Sequence, residues 1–159
     1  MTKGYVVSKS KFYSDKEIER LEKTEIMLRK NINNGGEALT EKGELFMILL
    51  NKGSAYENTN PEISIECYDE CLLLVQELSL DKSKAFLASF SEAIVHMYKS
   101  RIYEKSDKYE CLNCLNKSKS ILKNLLKKYP EHSENTRELY EIVNLLIEQT
   151  KRIKVIMIY

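Results

Sequence analysis

The sequence predicts an all-α protein, built as an α-α superhelix of antiparallel helical hairpins with about six helices. Only 5 glycines and 2 prolines occur in 159 residues, so the chain is poor in the residues that interrupt helices. Apolar side chains recur at intervals of three and four residues, which is the spacing of one helical face. The chain also resembles itself when it is shifted by 47 positions, as repeated hairpins do.

Six helices are expected in order along the chain, each from an apolar face and its start or stop signals. Their ranges are 14–33, 40–57, 61–79, 82–105, 107–129 and 132–157. Ser14 is a capping residue for the first helix. The third helix begins at Pro61, because proline is tolerated in the first turn of a helix. Asp107 caps the fifth helix, and Pro130 ends it. These local signals divide nearly the whole chain into helices.

The self-similarity under the 47-residue shift runs without a gap through residues 64–78 and 111–125. The shift pairs five residues of the first segment with five of the second: Ser64 with Cys111, Ile65 with Leu112, Cys67 with Cys114, Tyr68 with Leu115 and Cys71 with Ser118. The same shift relates the first helix to the second half of a repeat, and the last helix to a first half or a cap. With A and B as the two helices of a hairpin, the predicted order is B, A-B, A-B, A.

Segments 45–79 and 92–126 resemble tetratricopeptide repeats. In that family helix A carries a small residue and an aromatic three positions later, and helix B carries small, aromatic and small residues. In the first segment, helix A has Gly53 and Tyr56, and helix B has Ser64, Tyr68 and Cys71. In the second segment, the corresponding residues are Ser100 and Tyr103, then Cys111, Leu115 and Ser118. The 47-residue period is longer than the family's usual repeat. Another α-α superhelix with longer helices, or a regular helical bundle, would satisfy much of the same pattern.

The length fits a single helical-repeat domain over 1–159, with 1–13 as a flexible N-terminal arm. The formal charge is +1, so no global positive field favours nucleic acid as a partner. No apolar run has the length of a signal peptide core or of a membrane span. We therefore expect a cytoplasmic or nuclear protein without membrane insertion.

No catalytic, metal or cofactor site is predicted, and the chain is not expected to be an enzyme or to take a small-molecule substrate. The two cysteine pairs, Cys67 with Cys71 and Cys111 with Cys114, are too far apart in sequence for a zinc ribbon, so we interpret them as packing residues. His96, with Lys99 three residues later, resembles the phosphorylated helix of a histidine phosphotransfer bundle. That resemblance is kept as a remote alternative.

Charge is segregated between two equivalent stretches. Residues 53–80 carry six acids and no Lys or Arg, whereas 111–130 carry five lysines and no acid. Neighbouring helices of opposite sign attract each other, which is one interpretation. The other is a bipolar convex surface that docks a partner.

The tetratricopeptide resemblance implies a concave groove that takes a peptide or helix of a partner protein, and therefore a non-catalytic adaptor. The residues expected to line the groove at the 47-residue offset are Asn51, Ser54, Asn58, Tyr98, Arg101, Lys105 and Arg152. Three cations among them suit a partner segment with acidic side chains. The alternative is a structural subunit of a larger complex, docked through its charged convex face and the apolar tail at 155–159.

Overall fold

The structure, a computed structural model, describes the backbone of residues 13–35 and 38–158 and the side chains of residues 13–35 and 40–152. Every regular element in these ranges is helical. The six α-helices are α1 (Asp15–Asn33), α2 (Ala38–Tyr56), α3 (Pro61–Leu78), α4 (Ala85–Tyr103), α5 (Lys108–Lys128) and α6 (Ser133–Ile158). For the described residues, the all-α class and the six predicted helices are confirmed, and the stacking of hairpins into a superhelix stays a prediction.

The ends of the helices follow the local chemistry that the sequence displays. Ser14 forms a reciprocal capping box with Glu17, and Asp107 accepts a hydrogen bond from the Glu110 backbone N–H at 3.0 Å. Gly35, with φ 82°, follows the end of α1, where a left-handed residue is tolerated. The α4 helix begins later than predicted, because residues Lys82–Lys84 form a 3-10 turn.

The chain forms two compact units: the first contains α1, α2 and α3, and the second contains α4, α5 and α6. The single domain predicted over 1–159 stays a prediction. Most of the predicted arm lies outside the described residues, but its last residue, Tyr13, is half-buried in the first unit. Among the helices that the structure describes, none combines the length and apolar character that crossing a membrane requires.

The contact between α2 and α3 depends on Gly53. A Cβ atom at this position would lie 2.4 Å from Cε1 of Tyr68, whose side chain is fully buried. The Ser64 hydroxyl donates to the Gly53 carbonyl at 2.5 Å, and the Tyr68 hydroxyl donates to Glu57 at 2.5 Å. Small residues thus let the two helices approach closely, and the aromatic ring fills the space beside them.

Charged side chains connect the helices of the first unit. Arg29 on α1 donates to both carboxylate oxygens of Glu70 on α3 at 2.7 Å, and Lys42 on α2 pairs with Glu77 on α3. Part of the acidic run on α3 therefore serves packing within its own unit. These pairs are partly exposed, so each contributes little to stability.

The second unit has its own apolar core, formed by all three of its helices. The buried members are Ala93, Met97, Cys111, Leu115, Leu122, Leu125, Leu139, Val143 and Ile147. A buried hydrogen bond adds a polar link, because the Ser118 hydroxyl donates to the Ala93 carbonyl at 2.8 Å.

The 47-residue offset also relates the local structures of the two units. Helices α2 and α4 both have 19 residues, and their first and last residues are 47 positions apart. The same is true of the first residues of α3 and α5. The thiol of Cys71 donates to the Phe46 carbonyl at 3.6 Å, the counterpart, 47 positions earlier, of the bond from Ser118 to Ala93.

Candidate functional site

The second unit contains a cavity of about 290 Å³ that the three helices α4, α5 and α6 line. Its polar lining residues are Ser100, Arg101, Glu104, Gln149, Thr150 and Arg152, and its more apolar lining residues are Cys111, Leu115 and Leu146. Cys111 and Leu115 are buried, whereas Glu104 and Arg152 are exposed. The cavity therefore has a buried apolar floor and a charged outer edge.

Two of the predicted groove residues, Arg101 and Arg152, meet at this cavity. They reach it from different helices, α4 and α6. The Arg101 guanidinium lies 4.0 Å from the centre of the Tyr98 ring, within the range of a cation–π interaction. Tyr98, also a predicted groove residue, thus helps to hold Arg101 in place instead of lining the cavity.

The buried hydroxyls of the cavity are already hydrogen-bonded to the backbone. Ser100 donates to the Met97 carbonyl at 2.6 Å, and Thr150 donates to the Leu146 carbonyl at 2.8 Å. Burial raises the pKa of the Cys111 thiol, so this sulfur is protonated and a poor nucleophile near neutral pH. Among the described residues that line the cavity, the charged ones are Arg101, Arg152 and Glu104.

The three predicted groove residues of the first unit have different environments. Asn51 lines a smaller cavity of about 220 Å³ and accepts a hydrogen bond of 3.4 Å from the Tyr13 hydroxyl. Asn58 is exposed in the turn after α2. Ser54 is only 6% exposed, which leaves its side chain little surface for a partner. A groove that joins these residues to Arg101 and Arg152 stays a prediction.

Several cavity residues are not among the predicted groove residues, and two predicted groove residues of the second unit, Tyr98 and Lys105, do not line the cavity. Lys105 is exposed in the turn after α4 and is not among the residues that line the cavity. Glu104 and Gln149 do line it, each three positions from a predicted arginine. Residues three apart on a helix share a face, so extending the offset pattern by one turn along α6 would have found Gln149.

All four cysteines are buried, as the packing interpretation predicts. Burial raises the pKa of Cys67 and of Cys114 to about 11, so both thiols are protonated near neutral pH. Within the described residues, no group of three or more His, Cys, Asp or Glu side chains is placed to hold a metal ion. The metal-free state itself stays a prediction.

Two alternatives from the sequence concern other parts of the chain. His96 is half-buried on α4, and its role in phosphotransfer stays a prediction. The apolar tail at 155–159 lies outside the residues whose side chains the structure describes.

Comparison of the chain with protein-family models, with curated proteins and with solved structures found no match.

Proposed function

We propose that this chain is a non-catalytic, tetratricopeptide-like adaptor that binds a peptide or helix of a partner protein. The observation that carries the proposal is the meeting of Arg101 and Arg152 at one cavity in the second unit. Both residues were selected from the sequence as groove residues, on different helices and 51 positions apart.

The chemistry of the cavity supports an acidic partner segment. The charged groups among its described lining residues are the guanidiniums of Arg101 and Arg152 and the carboxylate of Glu104. Arginine binds carboxylates through two parallel N–H donors, which favours an Asp or Glu side chain over a neutral one.

The local correspondences between the units support the repeat architecture. Two copies of one hairpin would have helices of equal length, as α2 and α4 do. They would also have equivalent hydrogen bonds, as those to the carbonyls of Phe46 and Ala93 are. Repeated hairpins expose continuous surfaces for extended ligands. A partner-binding role follows from that architecture, with the cavity as its charged part.

The test compares Arg152→Glu with Lys151→Glu in affinity purification from cells that express the protein. Both residues are exposed on α6, and only Arg152 lines the cavity. The two variants change the formal charge equally, and exposed charges contribute little to stability. We expect Arg152→Glu to lose a partner that Lys151→Glu retains, measured by quantitative mass spectrometry.

A synthetic peptide from that partner provides the second readout. It should bind the purified wild type, and replacing its Asp and Glu residues by Asn and Gln should weaken binding. Binding should also weaken as salt is raised, because exposed charges are screened within about 10 Å at 0.1 M. If Arg152→Glu keeps every partner that the wild type captures, the cavity is not the binding site.

A further inference from the structure

The outer face of α5 carries four exposed lysines. We call this surface the lysine face and define it by Lys117, Lys123, Lys127 and Lys128 together with the exposed polar residues Asn116, Ser120 and Asn124. No acid occurs anywhere in 111–130. Across the described part of the chain, none of the four lysines has an ion-pair partner within 4.0 Å.

The equivalent helix of the first unit uses its charges differently. Position 117 on α5 corresponds to Glu70 on α3 under the 47-residue offset, and Glu70 is bound by Arg29 within its own unit. The lysine at position 117 has no such partner in the described residues. Ion pairing with the described residues of its unit therefore does not explain the lysine face.

Uncharged hydrogen-bonding side chains lie between the lysines. Asn116, Ser120 and Asn124 are four positions apart in succession, so they follow one another along one side of the helix for about 12 Å. Asparagine amides both donate and accept hydrogen bonds, as a peptide backbone requires. The arrangement offers a polar track for a chain, with ammonium groups for its negative side chains.

We propose that the lysine face binds an acidic segment of a partner protein. This surface lies opposite the buried side of α5, where Cys111 and Leu115 line the cavity described above, so it is a second docking surface. The inference goes beyond the proposed function, since it does not require any ligand in that cavity.

Two other polyanions fit the lysine face less well. Binding of single-stranded nucleic acid relies on several stacked aromatic rings, and the one aromatic side chain exposed on α5 is Tyr109, near the start of the helix. An anionic membrane favours a helix with large apolar side chains beside its lysines. The positions between Asn116 and Lys128 expose none. An acidic protein segment needs only the amides and ammonium groups that are present.

The experiment measures fluorescence anisotropy of a labelled polyglutamate peptide with the full-length protein. The test variant is Lys117→Gln, Lys123→Gln, Lys127→Gln and Lys128→Gln combined. The control carries the same change at four exposed lysines outside the face, Lys16, Lys30, Lys82 and Lys151. Lysine and glutamine have similar helix propensities, so both variants should fold, and circular dichroism checks this.

We expect the wild type to bind polyglutamate with an affinity that falls as salt is raised. The test variant should bind at least about tenfold more weakly, from the loss of several ion pairs, while the control stays within about twofold. Arg101 and Arg152 stay intact in the test variant, so a loss there assigns polyglutamate binding to the lysine face and not to the cavity.

Three results would overturn the proposal. If the test and control variants lose affinity equally, binding depends only on the net charge of the protein. Tighter binding of labelled oligouridylate or of phosphatidylserine vesicles than of polyglutamate, with loss in the test variant, would assign the face to nucleic acid or to membrane. Absence of polyglutamate binding by the wild type would show that the lysines serve no such partner.

Discussion

Gly53 shows how one residue sets the distance between two helices. Glycine inside a helix costs about 1 kcal/mol relative to alanine, and here it is required because the Tyr68 ring occupies the space of a Cβ atom. At the equivalent positions of the second unit, serine stands at 100 and leucine at 115. In the second unit the residue on helix A is larger, serine in place of glycine, and the residue on helix B is smaller, leucine in place of tyrosine.

Replacing Gly53 by alanine should lower the free energy of unfolding by about 1–3 kcal/mol, because the new methyl group forces Tyr68 or the helix to move. Gly43, on the same helix, is the control, since a Cβ atom there meets nothing within 4 Å. Gly43→Ala should stabilise by about 0.5–1 kcal/mol through helix propensity. Urea unfolding followed by circular dichroism measures both, and equal stabilities for the two variants would refute the packing argument.

At the scale of the helix, the residues before α3 and α5 form a natural pair. Asn60 and Asp107 are 47 positions apart, with φ and ψ of −149° and 80° for the first and −150° and 90° for the second. Their backbones are nearly the same, but only the Asp107 side chain accepts a hydrogen bond from its helix. The carboxylate also interacts favourably with the helix dipole.

Asp107→Ala should therefore lower the free energy of unfolding by about 1 kcal/mol, as the loss of a capping residue does. Asn60→Ala should cost only a few tenths of that, because no side-chain cap bond is lost. Thermal unfolding of the two variants at one pH gives the comparison. A larger loss for Asn60→Ala would mean that the backbone conformation, and not the side-chain bond, determines the effect.

Helices were predictable from the sequence because their signals are local. Apolar spacing and caps at Ser14, Pro61 and Asp107 placed all six, with ends within about three residues of the structure. The predicted start of α4 was too early because Asp81 caps a 3-10 turn, where it accepts a hydrogen bond of 3.0 Å from the Ser83 backbone N–H. A short 3-10 turn has the same capping signal in the sequence as an α-helix.

The candidate site was only partly predictable, since it depends on neighbours that are distant in sequence. Two residues that the offset pattern assigned to the groove, Arg101 and Arg152, line one cavity, and their role in partner binding stays a prediction. The offset pattern also selected Ser54, which is buried, because a helical period alone does not show which side a neighbouring helix covers. The buried hydrogen bond from the Tyr68 hydroxyl to Glu57 could not be predicted either. In a stretch with six acids, the sequence does not show which carboxylate is buried.

At the scale of the whole molecule, each unit has its own means of stability. The first unit buries apolar side chains of all three of its helices, such as Leu28, Leu49 and Leu74, beside the close contact at Gly53. The second relies on a continuous apolar core from Ala93 to Ile147. A core contained within one contiguous stretch of chain is what an independently folding segment requires.

Residues 85–159, produced alone, should therefore fold into a helical protein that unfolds cooperatively but with low stability, because short chains bury a smaller fraction of their surface. Its urea m-value should be roughly half that of the full chain, in proportion to the surface exposed on unfolding. A fragment of residues 108–159 is the control: without α4 it loses Ala93 and Met97 from the core, and its helicity should melt gradually. If residues 85–159 show no cooperative transition by circular dichroism while remaining monomeric, the core of the second unit depends on the rest of the chain.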